Sequence, residues 1–141
     1  MHVFNNPVIY NELNKYGVID YSGSSFKAQL VDVSIKLLND VSTKIMLNKT
    51  KRYETVSLSS TEIALVQDLL VENRGRVKAH NLFGLAYCIG KPNVILVEDI
   101  PTLVEIATNR GVNVCSSKEI IDNLRLSMID IDLDELIKKC A

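Results

Sequence analysis

The run Val94-Ile95-Leu96-Val97 restricts the fold of this chain more than any other segment. Gly90-Lys91-Pro92 stops the chain before it, and Glu98-Asp99 follows it. A strand that is apolar at successive positions has both faces covered, which is the condition of strands inside parallel sheets. Parallel neighbours cannot be joined by a hairpin and need helical crossovers. The segment Asn93 to Asp99 therefore predicts an α/β fold, with a strand that carries two adjacent carboxylates to its C-terminal end.

The flanking segments agree with that rhythm. Pro101, suited to a first helical turn, opens a helix to Arg110, and Gly111 stops it. Val112 to Cys115 is a strand, and Ser116-Ser117 cap a helix from Lys118 to about Leu124. Upstream, Ser60-Thr61-Glu62 open a helix with apolar positions Ile63, Leu65, Val66, Leu69 and Leu70, ended by Gly75. Val77 to Ile89 is apolar on most sides and predicts a buried helix. Tyr53 to Leu58 alternates as a strand. A strand over Gln29 to Val33 gives way near Ser34 to a helix with Ile35, Leu37, Leu38, Val41 and Ile45 on one side; one long helix from Ser25 also suits the pattern. At the start, a short strand ends near Asn5, Pro7 opens a helix that runs to Tyr16, and Gly17 stops it. Residues 21–25 read as a loop, and the tail from Ser127 as a short extended piece and a helix. Alternating strands and helices imply a parallel sheet with right-handed crossovers.

Bulk properties exclude several classes. With 141 residues, 47% hydrophobic and 23% charged, the chain is expected to be a single globular domain over 1–141. A formal net charge of −1 steers it neither to membranes nor to nucleic acid, so a nucleic-acid site must be a local basic patch. Cys88, Cys115 and Cys140 are an odd number without Cys-x-x-Cys spacing, which argues against a disulfide framework or a thiolate zinc site. An intracellular, cytoplasmic location is the expectation, since the first residues do not read as a signal peptide and no run approaches the roughly 20 apolar residues of a spanning helix.

The acids are the main chemical candidates. In open parallel sheets, ligands bind beyond the C-terminal strand ends, where Glu98 and Asp99 lie. Successive side chains diverge, so the two cannot share one target unless the chain turns. Asp99, nearer the turn, is the better candidate; the structural alternative is that it caps the helix after Pro101. Asp130 to Glu135 begins like a calcium loop but lacks the glycine and the closing glutamate. His2 and His80 have no cysteine at ligand or nucleophile spacing, and neither a P-loop nor a dinucleotide glycine motif is present. Two basic clusters stand out, Lys44, Lys49, Lys51 and Arg52 beside Tyr53, and Arg74, Arg76 and Lys78. Cations near an aromatic can grip a single strand, and a solvated loop accounts for them equally well.

Leu82-Phe-Gly-Leu-Ala-Tyr-Cys88, Val94-Ile-Leu-Val-Glu-Asp99, Leu103-Val-Glu-Ile-Ala107 and Gly111-Val-Asn-Val114 follow one another in an order that resembles the PIN-domain superfamily. Val3 to Tyr10 with Gly17 to Asp20, and Val31 to Ser34 with Leu37 and Asp40, resemble its opening elements. The resemblance implies a three-layer α/β/α sandwich around a mainly parallel sheet. It implies a metal-dependent ribonuclease, toxins of toxin–antitoxin pairs included, in which a ring of acids holds Mg²⁺ or Mn²⁺ and activates water against RNA.

Carried over by residue, Asp99 matches the acid ending the fourth strand, and Asp40 falls where the family has a glutamate. Asn5 or Asn6 stands at the opening aspartate, and Ala79, His80 or Asn81 at the acid of the buried helix. Asp99 and Asp40 are then the principal metal ligands, with Glu98 or Asn81 assisting and Glu12 a further candidate under another register. Lys49, Lys51, Arg52, Arg74 and Arg76 would contact RNA. Neutral carbonyls weaken the hold on a hard cation, so two functions follow from the resemblance. One is a ribonuclease; the other is a catalytically degenerate domain that binds RNA or a protein partner such as an antitoxin. A homodimer is compatible with either. A receiver domain, suggested by Leu-Val-Glu-Asp, is disfavoured because receiver acids end the first strand.

Overall fold

The computed structural model describes residues 1–17, 27–123, 137, 138 and 140. Among these, five strands form one sheet: β1 (His2–Phe4), β2 (Ala28–Val31), β3 (Tyr53–Val56), β4 (Ile95–Val97) and β5 (Val114–Cys115). Their spatial order is β3-β2-β1-β4-β5, and every pairing is parallel. The helices are α1 (Pro7–Lys15), α2 (Asp32–Lys36), α3 (Val41–Lys49), α4 (Ser60–Glu72), α5 (Phe83–Cys88), α6 (Pro101–Asn109) and α7 (Ser117–Asn123), with a 3-10 turn over Ala79–Asn81. This is the expected α/β architecture, with an all-parallel sheet covered by helices on both faces.

Alternation along the central strands divides the core. Val3 and Leu96 pack with Val66, Leu69, Leu85, Leu103 and Ile106 from α4, α5 and α6. Their neighbours Phe4 and Val97 pack with Ile9, Tyr10, Leu13, Leu47 and Ile120 from α1, α3 and α7. Each fully buried side chain of this size contributes about 1.5–3 kcal/mol. Tyr10 stands edge-on to Phe4 at 5.4 Å and to Tyr53 at 5.3 Å between ring centroids, tying α1 to β1 and β3.

Several elements differ from expectation. The segment after Ser34 is not one helix. Asp40 accepts hydrogen bonds from Ser42 N and Thr43 N and so starts α3 afresh. The rotation between α2 and α3 leaves Leu37, Val41 and Ile45 more than half exposed and buries Thr43 and Leu47 instead. Strand β2 rules out one helix running from Ser25. The helix expected from Val77 is shorter: Lys78 is extended, a 3-10 turn follows, and α5 covers Phe83–Cys88. Helix α4 is opened by a capping box between Ser59 and Glu62, and Glu62 also accepts from Lys91. Gly111 adopts φ +75 after α6, the left-handed stop expected of it. The loop over 21–25 and the acidic segment 130–135 lie outside the described residues, as does the extended part of the tail. All three cysteines are free. No helix among the described residues is long and apolar enough to cross a membrane.

Candidate functional site

The strand order reverses between β1 and β4, and ligands in open α/β sheets bind beyond the C-terminal ends at such a point. Phe4 pairs with Val97, so the next residues, Asn5 and Glu98, leave the sheet side by side. Alternation sends both toward α5, on the side of Val3 and Leu96, and sends Asp99 to the opposite face.

Asn5 is 2% exposed and all of its amide is used. Its Nδ2 donates to Glu98 Oε1 at 2.8 Å and to the Asn81 carbonyl at 2.7 Å. Its Oδ1 accepts from Leu85 N at 3.1 Å. Leu85 N lies in the first turn of α5, whose own N-cap, Leu82, offers no side chain. Asn5 therefore caps α5 from 80 residues away, and the helix can come close because residue 84 is glycine. A Cβ there would sit 2.7 Å from Asn5 Oδ1 and 3.0 Å from Asn5 Cα.

Glu98 is buried and accepts from Asn5 through one oxygen and, through Oε2, from Asp99 N at 2.9 Å and Ile100 N at 3.5 Å. Burial raises its pKa above the ordinary glutamate value, against the hydrogen bonds from Asn5 and the backbone. Glu98 was expected to assist Asp99; the geometry instead makes it the acid at the centre of the network. Asp99 does not cap the helix after Pro101 either. It accepts from Ser117 N at 2.8 Å and Ser117 Oγ at 2.5 Å, holding the start of α7. That helix also has a Ser116–Glu119 capping pair.

Asp40 lines a cleft of about 600 Å³ with Asn5, Asn6, Ser34, Ala79 and His80. Glu98 and Asp99 line a separate one of about 370 Å³ with Val104, Thr108 and Glu119. The Thr43 hydroxyl holds the Asp40 carboxyl below the usual aspartate range. The three acids chosen from the sequence are thus each turned to backbone or hydroxyl donors, in two clefts. Among the described residues no three His, Cys, Asp or Glu side chains gather as a cation-holding group. Among the described residues the acids are therefore not arranged as a hard cation requires, with clustered oxygens free to face it.

The basic clusters separate as well. Lys49, Lys51 and Arg52 precede β3 and lie at the N-terminal edge of the sheet, with Lys15 and Asn14 in the same cleft. Lys15 and Lys49 also stand in the last turns of α1 and α3, where cations complement the helix dipoles. A strand of four residues such as β3 rises about 13 Å, so this cluster is remote from Asn5 and Glu98. Arg76 and Lys78 line a cleft with Asn81, Ile100, Thr102 and Leu103, at the C-terminal edge. Sequence reasoning found Asn5 and Asn81 and read Ser117 as a helix cap, but it missed Gly84 and the bond from Ser117 to Asp99, which depend on partners 79 and 18 residues away. Glu12 lies mid-helix in α1 and lines neither cleft. No protein-family model matches the chain, and no curated protein does.

Proposed function

We propose that this chain is a PIN-like domain that binds RNA without cleaving it. The observation that carries the reading is the Asn5 amide, buried between Glu98 Oε1 and the Asn81 carbonyl with its oxygen on Leu85 N. Where the resemblance implies a ring of cation-holding acids, a neutral amide joins a single carboxylate to backbone groups. An aspartate at position 5 could accept from Leu85 N but would turn its second oxygen on two acceptors. The asparagine is thus matched to a structural network. The all-parallel sheet with helices on both faces is the architecture that the resemblance implies. Arg76 and Lys78, beside this network, supply cations for phosphate contact, the main source of affinity for nucleic acid. The metal-dependent ribonuclease is the competing reading. It requires Asp40 and Asp99 to release the helix starts they hold and to turn to one cation.

The test is fluorescence anisotropy of a labelled single-stranded RNA, in EDTA and in Mn²⁺, with the RNA then run on a denaturing gel. The expected result is the same saturable, salt-sensitive binding in both buffers and intact RNA. Cleavage in Mn²⁺ that vanishes in Asp99→Asn, or no binding at all, overturns the proposal.

A further inference from the structure

Helix α6 begins differently from its neighbours. Side chains cap α1 through Asn6, α3 through Asp40 and α4 through Ser59. The N-cap of α6 is Ile100, which has no side-chain hydrogen bond to offer, and Pro101 occupies the first turn without an N–H. The amides of Asp99 and Ile100 go to Glu98. Those of Thr102 and Leu103 have no acceptor among the described residues. Thr102 and Leu103, in the first turn of this nine-residue helix, line a cleft of about 450 Å³ with Arg76, Val77, Lys78 and Asn81.

Asn81 supplies an independent observation. The residue is 95% buried (5% exposed), and its carbonyl is taken by Asn5. Its side-chain amide has no hydrogen-bond partner among the described residues, and neither amide atom is fully sealed from solvent. Asn81 lines the cleft at the start of α6 together with Thr102 and Leu103. The cations at its rim are available. Lys78 has no acidic partner among the described residues, and Arg76 makes only a surface pair with Glu105 at 3.7 Å and a contact with Asn73 Oδ1 at 3.4 Å.

From this geometry we infer that the cleft is a phosphate site, in which Thr102 N, Leu103 N and the Asn81 amide take the oxygens and Lys78 and Arg76 the charge. Uncapped helix starts with nearby cations are suited to phosphate oxygens. The site rests on the RNA-binding reading for the source of the phosphate, a backbone phosphate of single-stranded RNA.

The experiment is a ¹⁵N amide titration of the full chain, first with inorganic phosphate and then with a single-stranded oligoribonucleotide, repeated on R76A/K78A. Both side chains are exposed, and unchanged resonances elsewhere verify the variant's fold. Both ligands are expected to move the Thr102 and Leu103 amides. The double variant is expected to bind each at least about tenfold more weakly, with a shallower salt dependence. RNA that binds equally well to the variant while leaving those amides unmoved overturns the site and leaves RNA binding standing. Phosphate that moves them in a protein indifferent to RNA upholds the site and removes RNA as its source.

Discussion

Asn5 Nδ2 lies 2.8 Å from Glu98 Oε1, so the ends of the two central strands are joined by an amide and a carboxylate. Asn5→Asp removes both donors and places a second carboxyl against Glu98 and the Asn81 carbonyl. The variant is expected to lose about 2–4 kcal/mol at neutral pH, the cost of an unmatched buried charge. Protonating either acid restores a donor, so the deficit shrinks as pH falls. Urea unfolding of both proteins at pH 7 and pH 5 measures it.

Glu98 gives the wild type a pH dependence of its own. Burial raises its folded pKa above the 4.5 of a free glutamate. Between 4.5 and that raised value the folded chain holds more protons than the unfolded one. This group therefore lowers stability as pH rises through that window. Glu98→Gln removes that contribution but sets an amide nitrogen against Asp99 N, Ile100 N or Asn5 Nδ2, with an expected loss of about 1–3 kcal/mol above that window, where the wild-type carboxylate accepts from all three. Denaturant titrations across pH 4–8 compare the two slopes.

Gly84→Ala separates packing from helix propensity. Alanine in a helix interior is ordinarily favoured over glycine by about 1 kcal/mol. Here its Cβ meets Asn5 Oδ1 at 2.7 Å, and the expected change is a loss of about 1–3 kcal/mol. A gain in melting temperature would mean that α5 does not press on Asn5.

Asp99 holds Ser117, which is fully buried. Asp99→Ala is expected to cost about 1–2 kcal/mol, as for lost helix caps. RNA affinity in EDTA is expected to stay within about twofold, because the Asp99 carboxylate is turned to Ser117 and does not line the cleft of Arg76 and Lys78. Unfolding curves and anisotropy on one preparation measure the two effects.

The strand Ile95–Val97 was legible because an apolar run between stops has few other solutions, and Pro101 and Gly111 bounded α6 as expected. The break before α3 was also written in the sequence, as Asp40-Val-Ser-Thr43. It was hidden by Leu37, Leu38 and Val41, whose spacing imitates a continuing helical face. Alternation foretold that Glu98 and Asp99 diverge. Which of them faces Asn5 was not legible from nearness to the turn, because register with β1 decides it. The separation of the basic clusters could have been read from topology alone. In a parallel sheet, residues that precede a strand and residues that follow one lie at opposite edges.

Direct titration of Mn²⁺ into the protein at pH 7, followed by calorimetry, tests whether the Asn5–Glu98 network has replaced a cation-holding ring. The account predicts no saturable binding tighter than about 1 mM, since Asp40 and Asp99 are spent on separate helix starts. One-to-one binding in the micromolar range that is abolished by both Asp40→Asn and Asp99→Asn would contradict it.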